Sequence, residues 1–353
     1  FEQCAEYLAL GFHKKGYEVI VYNSHNHPYK ESTWNGVQIV HCYDPEDTLG
    51  TAGQFIYDLN CILDIRKRTD IDVIIQLGYT SSSVWGKLLK DKAAVITNMD
   101  GLEWLRTKYS KPVKKFLKGA EYLGVKFADH LIADSIGIQD YLKETYNAES
   151  TYIPYGAYNF TEPDPEVLKE FELTPYSYDL LIARLEPENS IETILAGKTE
   201  SKDNRDFLVI GNHNTKYGEY LKSKFYGSNI KYLGAIYDTN KLNNLRYYSN
   251  IYFHGHTVGG TNPSLLEAMA SHSLICANDN PFNKYILQEN ALYFTEASEV
   301  TQVLERDLKT DPKFQSMLDN NSDNIAKSYS WDIIVDQYAE LCEKVFKLKK
   351  ELI

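Results

Sequence analysis

The chain has 353 residues, more than one hydrophobic core usually fills, so two domains are the first expectation. Its 37 basic and 49 acidic side chains leave a net charge of −12, which argues against a general nucleic-acid surface, since that needs clustered positive charge. Five widely spaced cysteines (Cys4, Cys42, Cys61, Cys276, Cys342) form no zinc or redox motif and read as reduced, mostly buried thiols of a cytoplasmic protein; no window approaches the roughly 18 apolar residues of a membrane span.

The chain opens at Phe1, without an initiator methionine, on an amphipathic helix at 1–14. An α/β domain normally begins with a strand, so a strand and its loop, on the order of 15 to 20 residues, are expected upstream. Strand-like runs follow at Glu18–Tyr22, Val37–Cys42, Val73–Leu77, Ala94–Asn98, His130–Ala133 and Ser150–Ile153, alternating with helical patterns at 49–69, 81–91, 111–128 and 136–146. This alternation predicts a parallel sheet wrapped by helices. Tyr155 to Pro175, rich in proline, acidic residues and aromatics, reads as a connector. A second alternation has strands at Tyr178–Ala183, Asp206–Ile210, Ile230–Leu233, Ile251–Phe253, Leu274–Ala277 and Ala291–Phe294, with helices at 190–197, 215–225, 239–248, 263–271 and 281–289. A polar helix at 297–308 and a closing helix from Trp331 to about Leu348 finish the chain. The expected domains are 1–158, with 331–353 packing back on it, and 176–330.

Open α/β sheets bind ligands at the carboxyl ends of their strands, so two facing domains would hold a ligand in the cleft between them. Candidates fall in the strand-to-helix loops NMDGLEW, ARLEPEN, GNHNTKYG (with Gly211), LGAIYD (with Tyr237) and HGHTVGGTNP. The stretch from Gly259 to Ala270, GGTNPSLLEAMA, has the layout of an anion site. Gly259 and Gly260 let the backbone bend, Pro263 suits a first helical turn, and the free N–H groups with the positive dipole end face a phosphate. Glu267, about one turn into the helix, reaches a sugar hydroxyl beside it; the plainer reading is a capped core helix.

Arg184 leaves a strand end and can clamp diphosphate oxygens, or pair on the surface with Glu186 or Glu188. Asp100 can accept a proton or position a hydroxyl, or cap a turn before Gly101. His254 and His256 share a face, but without a cysteine or acidic partner they make a weak metal site, and a hydrogen bond from His256 to a ligand is the better reading. Lys108, Lys111, Lys114, Lys115, Lys118 and Lys126 make the Lys108–Lys126 segment a basic amphipathic helix. It fits either an anionic membrane surface or an ordinary solvated face.

Together the glycine turn, Glu267, Arg184 and two α/β domains resemble the GT-B glycosyltransferases, specifically the large retaining family that includes sucrose synthase and bacterial glycan-assembling enzymes. The segments NMDGLEW, ADHLIADSIGIQDYL, TYIPYGA, ARLEPEN and HGHTVGGTNPSLLEAMAS look like bacterial rhamnosyltransferases that use dTDP-rhamnose and act on lipid-linked polysaccharide precursors. The resemblance implies two Rossmann-like domains, with Phe1-Glu2 at the end of a glycine-rich loop whose strand lies upstream. It also implies no cofactor and no metal, a nucleoside diphosphate sugar (dTDP-rhamnose or a UDP-sugar) as donor, a lipid-linked glycan acceptor, and a cytoplasmic, peripheral membrane location. Arg184 and the N–H groups around Gly260, Thr261 and Asn262 would hold the diphosphate, Glu267 the ribose or deoxyribose, and Asp100 the sugar or acceptor. Three positions depart from the wider family. Gly259 replaces the first of two glutamates, Asn189 replaces a lysine, and Asp100 replaces a histidine. A catalytically silent nucleotide-sugar or glycan-binding scaffold, or an epimerase of the same fold, is the alternative these departures leave open.

Overall fold

The computed structural model describes residues 2–89, 91, 93–99, 101–105, 109–227, 229–258, 260–306, 308–309 and 311–351. The chain divides into two compact units, residues 1–155 with 331–353, and residues 156–330.

The first unit contains two sheets. Strands β1 (Ile20–Ser24), β2 (Thr33–Trp34) and β3 (Val37–Cys42) form one, in the order β1-β3-β2. Strands β1 and β3 run parallel, while β2 and β3 form a hairpin through Asn35 and Gly36. Both turn residues have positive φ, 48° and 87°, as a two-residue hairpin turn that matches strand twist requires. The second sheet is wholly parallel: β4 (Val73–Leu77), β5 (Ala94–Asn98), β6 (His130–Ala133) and β7 (Ser150–Tyr152), in chain order. Every residue of β5 is buried, which is why AVITN reads as a continuous run rather than an alternation.

The helix Ile136–Tyr146 begins where Ser135 Oγ accepts from the Ile138 N–H and ends on Asn147 in the left-handed region. The expected helix at 81–91 is instead a 3-10 turn, Ser82–Leu88. Gly86 sits so close to Phe127 that a Cβ there would lie 2.8 Å from the Phe127 Cβ. The closing helix Trp331–Glu351 belongs to this unit. Trp331 stacks on Tyr7 at 4.6 Å, and the buried Tyr338 hydroxyl accepts from Asn98 Nδ2 at 2.8 Å.

The second unit is a six-stranded parallel sheet of β8 (Tyr178–Ile182), β9 (Asp206–Ile210), β10 (Ile230–Gly234), β11 (Tyr252–His254), β12 (Ile275–Asn278) and β13 (Leu292–Phe294). Their order is β10-β9-β8-β11-β12-β13. Leu181, Phe207, Val209, Phe253, Cys276 and Phe294 fill one side of it, all essentially inaccessible to solvent. The stretch expected as a connector folds into this unit, because Leu168 and Leu173 bury themselves around the 3-10 helix Pro165–Phe171.

One further helix, Pro312–Asn324, carries no clear apolar run and has no counterpart among the expected elements. It starts on an Asp311 cap with Pro312 in its first turn. The polar helix expected at 297–308 stops at Leu304. Among the described residues all five cysteines are free and buried, and no helix is long and apolar enough to cross a membrane.

Candidate functional site

Strand order in the second unit fixes where a ligand fits. From β8 the chain moves outward through β9 and β10, then returns to place β11 on the other side of β8. The connections after β8 and β11 therefore diverge at their carboxyl ends, and the crevice at such a reversal is where open α/β sheets bind ligands. Arg184 lies in the first of these connections, and His256, Gly260, Thr261 and Asn262 in the second.

Close backbone contacts hold these loops together. Gly211, just after β9, donates its N–H to Gly234 O at 2.9 Å, and a Cβ on it would fall 2.1 Å from Ala183 O. A Cβ on Gly255 would fall 2.0 Å from Asn189 O. Both positions need glycine because neighbouring main chain occupies the side-chain space.

Asn189 is the joint. Its buried amide Nδ2 donates to Arg184 O at 2.7 Å, and its Oδ1 pairs with His256 Nδ1, also at 2.7 Å. His256 is further held by Asn280 and Asn283, whose side-chain amides donate to its carbonyl oxygen at 2.9 and 3.1 Å. Thr257 donates both its N–H and its hydroxyl to Glu188 O. The Arg184 side chain itself is exposed and makes no ion pair with Glu186, Glu188 or any other described residue, so its guanidinium remains available to an anion.

The helix Pro263–Ala270 starts as its sequence predicts. Asn262 Oδ1 accepts from the Ser264 N–H at 2.9 Å, and Pro263 occupies the first turn. Leu265, Leu266 and Met269 pack inward. Gly260 is half-buried, Thr261 buried, and Tyr237, on the loop after β10, is 89% exposed. Glu267 is a quarter exposed and forms an ion pair that its sequence did not announce: its Oε2 accepts from Arg246 Nη2 at 2.5 Å.

Behind the loop, His254 is enclosed with no hydrogen-bond partner for Nε2, and its ring centroid lies 6.0 Å from that of His256. Burial, reinforced by His256 and Arg246, pushes its pKa down to about 3, so it is neutral at physiological pH. Among the described residues no three His, Cys, Asp or Glu side chains come together as a metal site.

Asp100 and Gly259 lie outside the described residues, as does Lys108. Glu2 is exposed in the first turn of the helix Glu2–Lys14 of the first unit. Trp104, in the same NMDGLEW segment as Asp100, belongs to a centre that pattern reading missed. The buried Glu121 carboxylate accepts from Tyr141 OH at 2.6 Å, Tyr146 OH at 2.5 Å, Trp104 Nε1 at 3.0 Å and Lys118 Nζ at 2.9 Å. Lys118 is thus turned away from the solvated lysine face and sits over the Trp104 and Tyr141 rings. Tyr79 OH, in the same cluster, donates to Gly101 O at 3.3 Å, so the NMDGLEW loop is anchored from below.

The sequence matches the family described as a domain of unknown function (DUF1972) over residues 13–158. No curated protein matches the chain. Its structure is similar to sucrose-phosphate synthase from Thermosynechococcus elongatus, with a TM-score of 0.77 and 15% identity over 97% of this chain and 92% of that one. It is similar to Anabaena HepE in complex with UDP-glucose, with a TM-score of 0.74 and 14% identity over 97% and 95% of the two chains. A third likeness is to a glycosyltransferase from Rickettsia africae, with a TM-score of 0.74 and 13% identity over 98% and 95%. The fold is therefore GT-B.

Proposed function

We propose that the protein is a retaining glycosyltransferase that moves a sugar from a nucleoside diphosphate to a lipid-linked or saccharide acceptor, with L-rhamnose from dTDP-rhamnose as the donor. The observation that carries this reading is the exposed Arg184 guanidinium at the strand-order reversal, ion-paired to no described residue and next to a connection that leads into a capped helix start. HepE, which shares the fold, has been crystallised with UDP and with UDP-glucose, which supports a nucleotide sugar as ligand.

In this mechanism Arg184 and the N–H groups around Gly260, Thr261 and Asn262 hold the diphosphate and stabilise the charge that builds on it as the glycosidic bond breaks. Glu267 accepts a hydrogen bond from the nucleotide's sugar. Asn189 brings no charge; it fixes the Arg184 backbone and orients His256. Gly211 and Tyr237 border the nucleotide, and Asp100 contacts the transferred sugar or the acceptor. Retention carries a β-L-rhamnosyl donor to a β-L-rhamnoside.

The lipid side of the reading rests on the helix Lys111–Phe127. Lys111 and Lys115 are exposed beside Val113 and Phe116, the latter 46% exposed, on a protein that is otherwise acidic. A basic, apolar-edged surface of this kind suits an anionic leaflet, which supports a peripheral location on the cytoplasmic face of a membrane.

The test is turnover. The protein is incubated with dTDP-rhamnose or UDP-glucose and a GlcNAc-diphospho-lipid, and release of nucleoside diphosphate is followed. Release with dTDP-rhamnose, lost in Arg184→Ala, is the expected result; no release from any donor contradicts the proposal.

A further inference from the structure

The Glu267–Arg246 pair bears on which nucleotide the site accepts. Arg246 lies in the last turn of the helix Thr239–Tyr247 and is 1% exposed. Its backbone oxygen accepts from both Ser249 Oγ, at 2.8 Å, and Ser273 Oγ, at 3.0 Å. Its guanidinium donates from Nη1 to Asn243 Oδ1 at 3.1 Å, and from Nη2 to Ser264 Oγ at 3.3 Å and Glu267 Oε2 at 2.5 Å. Ser264 Oγ is in turn 2.8 Å from Tyr252 OH. The arginine is thus fixed at both ends, and Glu267 is the carboxylate that balances its buried charge. Removing Oε2 from it would leave an uncompensated cation in the interior.

A free carboxylate can take a vicinal diol with one hydroxyl on each oxygen. Here Oε2 already accepts a charge-assisted bond from the arginine, which fixes its direction and weakens it as a second acceptor, so Oε1 is the stronger acceptor for a sugar hydroxyl. One such bond serves a 2′-deoxyribose, which has a single ring hydroxyl at O3′, as fully as it serves ribose. We infer that Arg246 is a specificity-determining residue that, by holding one oxygen of Glu267, makes the site tolerant of a missing 2′-hydroxyl and so admits deoxyribonucleoside diphosphates. This rests on the reading above, in which Glu267 faces the nucleotide's sugar.

Calorimetric titration with UDP and dUDP isolates the 2′-hydroxyl without the thymine methyl group. The wild type binds the two with affinities within about threefold. In Arg246→Met, where both Glu267 oxygens are released, UDP is favoured by about tenfold or more, the worth of one hydrogen bond to a charged group. Arg246→Lys, which keeps the buried cation, restores the wild-type ratio. A wild type that prefers UDP by tenfold or more overturns the inference, as does an unchanged ratio in a folded Arg246→Met. If Arg246→Met does not fold, the wild-type ratio decides: near-equal affinities support the inference and a strong UDP preference overturns it. Binding of neither nucleotide overturns the nucleotide-site reading itself. Unaltered binding of both in Glu267→Gln overturns the sugar contact on which the inference depends.

Discussion

Asn189 Oδ1 and His256 Nδ1 lie 2.7 Å apart, a side-chain contact that, with the two bonds from Thr257 to Glu188 O, ties the connection after β8 to the connection after β11. The same Asn189 amide holds Arg184 O, so one buried side chain links the candidate phosphate clamp directly to the candidate donor loop. Replacement with alanine leaves Arg184 O and His256 Nδ1 without this partner, at a cost of about 1–3 kcal/mol for each buried group left unsatisfied. Asn189→Ala should lower the urea midpoint and weaken dTDP binding by about tenfold. Unchanged affinity with unchanged stability would remove Asn189 from the site.

Glu121 is the corresponding joint of the first unit. Its carboxylate gathers Tyr141, Tyr146, Trp104 and Lys118, and it is 1% exposed. Glu121→Leu breaks a buried charged network by deleting one partner, with an expected loss of about 3–5 kcal/mol. Trp104 fluorescence should blue-shift as the indole N–H loses its charged acceptor to an apolar side chain. Equilibrium denaturation within 1 kcal/mol of the wild type, on the order of an exposed pair, would show that the cluster does not hold the loop.

Lys309 gives a pH-dependent signature. Burial pushes its ammonium down from the usual value to about 7, with the His272 carbonyl as hydrogen-bond acceptor and the Tyr247 ring 5.7 Å away. Between that value and the unfolded lysine pKa, the unfolded chain holds a proton that the folded protein does not, so this residue's contribution to stability rises with pH. The advantage of Lys309→Met over the wild type should accordingly be greatest near pH 6.5 and shrink by up to about 1.4 kcal/mol per pH unit toward pH 9.5. Denaturation curves whose difference is flat with pH would contradict this assignment.

The lysine face of the first unit predicts lipid dependence. Lys111→Glu with Lys115→Glu should abolish sedimentation with vesicles containing phosphatidylglycerol, while Phe116→Ser should weaken it and leave its salt dependence intact. Equal sedimentation of all three proteins would mean that this helix face is simply solvated.

Much of this architecture was legible because local chemistry and tertiary structure agree. The AVITN run opens on three consecutive apolar residues because β5 is wholly buried, with Thr97 and Asn98 bonded to Gln76 and Tyr338, and Asn262-Pro263 starts a helix by capping a free N–H and supplying a ready φ. The 3-10 turn at Ser82–Leu88 and the helix Pro312–Asn324 escaped, the first because crowding at Gly86 overrides periodicity and the second because its surface is mostly polar. At the site, Arg184 and Glu267 stood out by their spacing from strand ends and glycines. Arg246 did not: it meets Glu267 from 21 residues away, on another helix, and no short-range pattern announces such a pair. Asn189 was legible as a missing positive charge, but its structural work depends on Arg184 O and on His256, which lies 67 residues on. Glu121 was hidden for the same reason, since its donors come from three separate stretches of chain.

A crystal structure of the protein with dTDP bound tests the nucleotide site most directly. The diphosphate should lie within hydrogen-bond reach of the Arg184 guanidinium and of the backbone N–H groups at Gly260 and Thr261, with the deoxyribose O3′ hydroxyl donating to Glu267 Oε1 while Arg246 keeps Oε2. A nucleotide seated away from the carboxyl ends of β8 and β11, or one that leaves Arg184 and Glu267 untouched, would contradict this placement.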